Sequence, residues 1–242
     1  MIGLPGEVWL VFGAFVAAIA SGLAGFAFAL VASGTFLHFR APVDATPLVL
    51  AASLLAQCFT ILALRDKVDW RRLAPFLAGG VIGIPLGVAL LHGVSPDPLK
   101  RAIGVFLVGY AAFMLLRGQP RPVTAGGRPL DGFIGFVGGA MGGLGGLSGA
   151  VPTIWTGLRG WTKDEQRAVY QPYIFFMQAA ALGWLWAEGG IGAQAVADFA
   201  WCLPAVAAGV WVGLRLYRRV DDAQFRRIVL ALLLASGVVL VL

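Results

Sequence analysis

The chain repeats itself in register, and this internal duplication restricts its possible folds more than any other feature. Gly22-Leu-Ala-Gly25 opens a stretch that ends at Gln57, and Gly143-Leu-Gly-Gly146 opens an equivalent stretch that ends at Gln178. The two stretches align without a gap. Internal duplication in an apolar chain is a recurring feature of membrane transporters, whose substrate sites form where two repeats meet. Transport is therefore the first hypothesis.

Composition places the chain in a lipid bilayer. Of its 242 residues, 59% are hydrophobic and only 12% are charged, against about 25% charged residues in a soluble domain. Uncharged runs such as Tyr173–Ala187 and Ile228–Leu242 approach the roughly 20 residues that span a bilayer. The net charge is +6. The Lys and Arg residues that produce it lie in short loops, as the positive-inside rule requires, so no nucleic-acid partner is expected. Cys58 and Cys202 lack metal-ligand spacing, and no cofactor or metal is expected.

The predicted fold class is an all-α polytopic membrane protein formed by a single transporter domain, 1–242. Repeat one spans 8–117, a Pro/Gly-rich linker spans 118–129, and repeat two spans 130–242. Eight apolar stretches are visible: 8–38, 45–64, 72–92, 101–117, 131–158, 168–187, 193–215 and 226–242.

The first and fifth stretches are too long for one crossing and are glycine-rich near their middles. Each is either a tilted helix that uses glycines for close packing or a re-entrant helical hairpin that turns near the midplane. Non-helical backbone at that depth needs protein or a watery cavity around it.

Charge counting favours the hairpins. If all eight stretches cross, the 18 Lys and Arg residues divide 11 to 7 across the membrane. With two hairpins the division is 15 to 3, and only Arg40, Lys100 and Arg101 remain on the poorer side. The positive-inside rule makes the richer side cytoplasmic. Each repeat then has three full crossings besides its hairpin, so the repeats are inverted and both termini face the outer, periplasmic side.

Specific motifs carry a family resemblance. Gly142-Gly-Leu-Gly-Gly-Leu-Ser-Gly149, Leu158-Arg-Gly-Trp161 and Lys163-Asp-Glu-Gln-Arg-Ala-Val-Tyr-Gln-Pro-Tyr173 resemble the second repeat of the TauE/SafE sulfite-exporter family. Ser21-Gly-Leu-Ala-Gly25 resembles the matching first-repeat segment in a more degenerate form. The resemblance implies movement of small sulfur-containing anions, such as sulfite, sulfonates or sulfoacetate, across the bacterial inner membrane.

The glycine-rich hairpins are the main candidates for substrate binding. A helix break exposes backbone N–H groups that attract anions, and glycine lets the backbone approach closely. The predicted substrate-binding residues are Ser21, Gly22, Gly25, Gln57, Gly145, Gly146, Ser148, Gly149, Gln171, Tyr173 and Gln178. Close helix packing is the competing reading for the glycines, and interhelical hydrogen bonding is the competing reading for Gln57 and Gln178.

Charged residues near the hairpin mouths suggest two further roles. His38 and Arg159 are candidates for an anion vestibule, although loop topology alone also accounts for Arg159. No Asp or Glu lies deep in an apolar stretch, whereas ion-coupled carriers usually need one. A negative cell interior drives anions outward, so potential-driven export is the expected direction.

Two rival functions differ in how well the sequence supports them. Gly146-Leu-Ser148-Gly matches the GxSG string of intramembrane serine proteases, but that chemistry needs a base and no histidine follows Ser148. The chain is therefore not expected to be an enzyme. A passive small-anion channel remains an alternative to a carrier. The oligomeric state is left open by the sequence.

Overall fold

The computed structural model describes residues 6–64, 68–93, 96–117 and 122–241, and the regular structure in these ranges is helical. Residues 118–121 of the predicted linker and the loop cations Arg65 and Lys67 lie outside the described ranges. The described helices are, in chain order, α1 (Gly6–Ala24), α2 (Phe28–Phe39), α3 (Pro42–Leu64), α4 (Trp70–Gly93), α5 (Pro96–Arg117), α6 (Gly127–Gly145), α7 (Ala150–Leu158), α8 (Lys163–Ala187), α9 (Ala193–Tyr217) and α10 (Asp222–Val241).

The helices present apolar surface outward, as a bilayer requires. Among the described helices, α1, α9 and the segment Val43–Ala63 of α3 are long and apolar enough to cross a membrane. Large hydrophobic side chains are also exposed, with Leu116 at 88% and Trp186 at 75%. Extensive exposed apolar surface needs an apolar neighbour. The predicted polytopic membrane protein is therefore confirmed.

The first of two compact units contains α1, α2, α3, α9 and the part of α8 from Gln171 onward. Its apolar core joins α1, α2, α3 and α9, with Leu10, Phe36, Leu48 and Val206 among its fully buried side chains. Burial of this kind contributes roughly 25 cal/mol per Å² of apolar surface. It holds the N-terminal helices in one packed body.

The second unit contains α4, α5, α6, α7, α10 and the first turns of α8 up to Tyr170. Helices α5 and α10 run antiparallel within it. Gly237 of α10 lies against the carbonyl of Gly104, and Arg226 at the other end donates a hydrogen bond to the carbonyl of Met114 at 3.3 Å.

The first long apolar stretch folds back on itself as a helical hairpin, named here the first hairpin (α1 and α2). Trp9 near the start of α1 stacks on Phe39 at the end of α2, with ring centroids 6.5 Å apart. A Cβ built on Gly13 would lie 2.6 Å from Thr35 Cγ2. These contacts pair the beginning of α1 with the end of α2. A single tilted helix is therefore excluded for this stretch.

The fifth stretch folds in the same way and forms the second hairpin (α6 and α7). The indole Nε1 of Trp155 donates to Asp131 Oδ1 at 2.7 Å, and Arg159 reaches the carbonyl of Gly127 at 3.3 Å. Near the turn, a Cβ on Gly142 would lie 3.0 Å from Ser148 Cβ. In both hairpins a 19-residue arm precedes a shorter one, of 12 residues in α2 and 9 in α7.

Glycine rows bring one helix of each hairpin into close contact with a neighbour. In the second unit, a Cβ on Gly83 of α4 would lie 2.1 Å from the carbonyl oxygen of Phe136 in α6, and one on Gly87 would lie 2.1 Å from that of Ala140. A side chain has no room there. The residue numbers of the contacting pairs increase together along α4 and α6, so the two helices run parallel.

The first unit repeats this arrangement with α9 and α1. A Cβ on Gly209 would lie 2.5 Å from the carbonyl oxygen of Phe15, and one on Gly213 would lie 2.4 Å from that of Ile19. Small residues spaced four apart permit this close approach of helix backbones. Gly83, Gly87, Gly209 and Gly213 therefore allow close packing of the helix backbones.

Candidate functional site

The turn of the first hairpin is built on a glycine in the left-handed conformation. Helix α1 ends at Ala24, and Gly25 follows with a φ of 88°. Its N–H donates to the carbonyl of Ser21 at 2.6 Å. This conformation costs an L-residue roughly 1–2 kcal/mol, and a glycine avoids that penalty. Helix α2 then begins at Phe28.

The second hairpin breaks at the equivalent position of the repeat. Helix α6 ends at Gly145, and Gly146 follows with a φ of 74°. Its N–H donates to the carbonyl of Gly142 at 2.8 Å. Gly25 and Gly146 occupy matching places in the register that aligns Gly22 with Gly143. The duplication visible in the sequence therefore extends to the backbone geometry of both turns.

Gln57 ties the first hairpin to α3. Its Nε2 donates to the carbonyl of Gly25 at 2.6 Å. Its Oε1 lies 3.3 Å from Thr60 Oγ1 and accepts from Gln171 Nε2 at 3.4 Å. Three predicted site residues, Gly25, Gln57 and Gln171, are thus linked by hydrogen bonds through the Gln57 amide. In this arrangement the Gln57 amide bonds to the protein at both its nitrogen and its oxygen.

Other predicted site residues of the first unit are buried. Ser21 is fully buried in the last turn of α1, and its Oγ has no hydrogen-bond partner among the described residues. Gln178 is 2% exposed, and its Oε1 likewise finds no partner there. Tyr173 is completely buried. Gly22 lies against α9, where a Cβ would come 2.7 Å from the carbonyl oxygen of Val210.

The second hairpin places hydroxyl groups beside the start of its short arm. Helix α7 begins at Ala150, and its N-cap residue, Gly149, provides no side-chain cap. Ser148 immediately precedes it, fully buried, and its Oγ has no hydrogen-bond partner in the described part of the chain. The positive end of a helix dipole and its orphan N–H groups attract anions. The predicted residues Gly145, Gly146, Ser148 and Gly149 thus form one continuous turn at such an end.

The two vestibule candidates have different surroundings. Arg159 is the C-cap residue of α7, and its Nη2 bonds Asp131 Oδ1 at 2.9 Å. Its guanidinium also reaches the carbonyls of Val123, Thr124 and Ala125 at 3.3–3.4 Å. His38 is exposed in the last turn of α2.

An ion pair between a half-buried arginine and a buried carboxylate in the first unit was not predicted from the sequence. Arg40, the C-cap residue of α2, binds Asp198 of α9 through two hydrogen bonds of 2.6 and 2.8 Å. Asp198 is 2% exposed and also accepts from Gln194 Nε2 at 3.0 Å. These hydrogen bonds to Asp198 raise the pKa of Arg40. The available sequence signal was that Asp198 is the one acidic residue within the stretch 193–215.

Family comparison agrees with this architecture. The family model described as Sulfite exporter TauE/SafE matches residues 10–240. The chain belongs to this family. No curated protein and no solved structure matches it. TauE/SafE proteins are transporters of sulfite and related sulfur anions and not enzymes, which is the class the sequence predicts for this multi-pass membrane protein.

One arginine of this TauE/SafE chain lies where sequence reasoning did not place it. The charge count assigns Arg167 to a cytoplasmic loop, yet in the structure its side chain is 1% exposed within the first turns of α8. Arginine keeps its charge at all physiological pH values. Its guanidinium therefore carries a positive charge within the second unit. No group of His, Cys, Asp or Glu that could hold a metal ion occurs among the described residues.

Proposed function

We propose that this chain exports small sulfur-containing anions, such as sulfite, sulfonates or sulfoacetate, across the bacterial inner membrane. The observation that carries the proposal is the pair of helix breaks at Gly25 and Gly146, which stand at equivalent repeat positions and have buried serine hydroxyls nearby. Broken helices inside a bilayer are where transporters bind charged substrates, because helix ends supply backbone groups and dipoles. Family membership supplies the class of anion.

The second hairpin is the stronger binding element for an anion. Its Gly145-Gly146-Leu-Ser148-Gly149 segment leads into the N-terminus of α7, the positive end of that helix. Ser148 adds a hydroxyl donor with no partner among the described residues. An anion bound there needs no cationic ligand, which suits a substrate that must also be released.

The first unit supplies a second set of proposed substrate contacts. Ser21 and Gln178 carry buried polar oxygens with no protein partner in the described ranges, and Tyr173 is buried in the same unit. Gln57 contributes by donating to the carbonyl of Gly25, and Gln171 contributes by donating to Gln57 Oε1. At the membrane surface, His38 and Arg159 remain proposed vestibule residues.

Export is the direction that the membrane potential favours. A monovalent anion leaving a negative interior gains about 2.3 kcal/mol per 100 mV. In proteoliposomes containing the purified protein, we expect an imposed potential to accelerate sulfite efflux from the negative side, and a flux that ignores the potential would contradict this mechanism. Saturation and counterflow are expected of a carrier, whereas a passive channel shows neither.

Substrate class is tested by comparing anions in the same vesicles. We expect sulfite, thiosulfate and sulfonates to move faster than simple carboxylates. A carboxylate that is transported best would overturn the sulfur-anion assignment but would leave the helical architecture unchanged.

Orientation is tested separately from substrate. The proposed arrangement has inverted repeats, with both termini on the periplasmic side and the loop containing Lys163 in the cytoplasm. A cysteine introduced by Lys163→Cys, in a background lacking Cys58 and Cys202, should react with an impermeant thiol reagent only in inside-out vesicles. Labelling of intact spheroplasts would contradict the topology.

A further inference from the structure

One hydroxyl group on the second hairpin behaves unlike the other helical hydroxyls for which hydrogen bonds are described. Thr60 Oγ1 donates to the carbonyls of Ala56 and Gln57 at 3.0 Å, and Thr156 Oγ1 donates to that of Thr153 at 3.1 Å. This back-bonding is the usual way for a hydroxyl within a helix to be satisfied. Thr153 departs from it, because its Oγ1 is buried and has no hydrogen-bond partner in the described residues.

The position of Thr153 directs its side chain toward the start of α7. It lies in the second turn of that helix, and its N–H bonds the carbonyl of Gly149 at 3.1 Å. Side chains on a helix tilt toward its N-terminus, so Thr153 lies over the turn formed by Gly149 and Ala150. Ser148, whose hydroxyl is also without a partner in the described chain, immediately precedes this turn.

Two unsatisfied hydroxyls beside one helix N-terminus require an explanation. Burial of a hydroxyl without a hydrogen bond is unfavourable, and valine would fill the same space as Thr153 without that penalty. Thr153 is 1% exposed and Ser148 is fully buried, so bulk water does not satisfy either group.

We propose that Thr153 is a specificity-determining ligand for the –SO3 group of the transported anion. Its hydroxyl and that of Ser148 donate to two of the three oxygens, and the backbone N–H of Val151, in the first turn of α7, donates to the third. A carboxylate has only two oxygens in one plane and leaves one donor unmatched. This inference rests on the proposed function and deepens it, because it names the group that selects sulfur oxyanions.

The test compares Thr153→Val with Thr153→Ser and a matched control, Thr156→Val. Thr156 is equally buried on the same helix, but its hydroxyl is bonded to the backbone. Each purified full-length variant is assayed for sulfite, methanesulfonate and acetate binding by calorimetry, and for its melting temperature without ligand.

We expect Thr153→Val to weaken sulfite and methanesulfonate binding about tenfold, since one hydrogen bond to a charged group is lost. Acetate binding should change much less. Its melting temperature without ligand should stay the same or rise, because the unsatisfied hydroxyl is gone. Thr153→Ser should retain wild-type affinity. Thr156→Val should keep wild-type affinity but melt at a lower temperature.

Three results would overturn the inference, and they are distinguishable. If Thr153→Val folds and binds both sulfur anions as tightly as the wild type, Thr153 is not a ligand, although the proposed function stands. If Thr153→Val melts at a lower temperature with its affinity unchanged, the hydroxyl is structural. If the wild-type protein neither binds nor moves any sulfur oxyanion, the proposed function fails together with the inference.

Discussion

The two hairpins share a backbone design but differ in the chemistry at their turns. Both turns rest on an equivalent left-handed glycine, Gly25 or Gly146. In the first hairpin, however, the short arm α2 begins among apolar residues, and its only partnerless buried hydroxyl in the described structure, that of Ser21, lies at the end of α1. In the second hairpin, Ser148 and Thr153 lie at the start of the short arm α7.

This difference in position has an electrostatic consequence. Ser21 lies at the C-terminal, negative end of α1, whereas Ser148 and Thr153 lie at the N-terminal, positive end of α7. The first repeat has Ala27 and Ala32 at the places equivalent to Ser148 and Thr153. The two hairpins are therefore similar in backbone, but only the second has hydroxyl donors at the positive end of its short arm.

The hairpins also differ in how their short arms are anchored. Each short arm ends in an arginine at its C-cap, Arg40 or Arg159, where a positive charge complements the helix dipole. Arg40 binds Asp198 on the neighbouring helix α9, and this carboxylate is almost fully buried. Arg159 binds Asp131 on α6 of its own hairpin and several backbone carbonyls as well.

The largest expected effect comes from breaking these anchors. Asp198→Asn removes the main partner of Arg40 and leaves it, among the described residues, only Glu7 at 3.7 Å and the carbonyl of Phe39. Loss of hydrogen bonds to a charged group costs about 1.5–3 kcal/mol. Asp131→Asn should cost closer to 1 kcal/mol, because Arg159 keeps its carbonyl acceptors. Chemical unfolding of the two variants in detergent measures the difference. Equal losses of stability would show that the two anchors are equivalent.

A second contrast separates the two repeat-equivalent glutamines. Gln57→Leu leaves the buried carbonyl of Gly25 without its donor, and we expect a loss of roughly 1–3 kcal/mol in unfolding free energy. Gln178→Leu should change stability little, since its Oε1 has no protein partner among the described residues, but it should reduce sulfite flux. Melting curves and flux are measured on the same preparations. A stable Gln57→Leu variant would mean that this hydrogen bond does not hold the hairpin.

The shared glycine conformation predicts equal effects in both hairpins. Gly25→Ala and Gly146→Ala should each lower stability by about 1–2 kcal/mol, the strain of an L-residue in the left-handed region. Gly189→Ala is the matched control, because Gly189 has a φ of 70° and open space around it, outside both hairpins. All three variants should melt alike, but only the hairpin variants should lose flux. Normal flux in both hairpin variants would show that the glycine conformation at the helix breaks is not required for transport.

The smallest expected effect comes from replacing the two buried serines of the hairpins, and it changes sulfite binding more than it changes stability. Ser148→Ala should weaken sulfite binding about tenfold, because it removes a hydroxyl donor at the positive helix end. Ser21→Ala should weaken it less, since Ser21 lies at the negative end of α1. Calorimetry on both variants compares them directly. A larger loss for Ser21→Ala would reverse the assignment of the second hairpin as the main anion site.

Part of the site could be predicted because its signals are local. Gly25 and Gly146 were identifiable because a glycine cluster within an apolar stretch is poorly suited to a continuous helix. Gln57 and Gln178 were identifiable as amides in apolar segments, where a polar side chain needs a hydrogen-bond partner or a functional role. Their partners were not identifiable in this way. The bond from Gln57 to the carbonyl of Gly25 joins residues far apart in sequence.

By itself, the sequence determined that the chain is a helical membrane protein of duplicated design, because a bilayer admits few structures and the apolar stretches, glycines and repeat register are written along the chain. Only the tertiary structure decided which polar groups bond to other groups of the protein and which remain without a partner. It pairs Arg40 with Asp198 and leaves Thr153 unbonded among the described residues. Such pairing depends on which helices pack together, and that follows from the sum of many weak contacts rather than from a local motif.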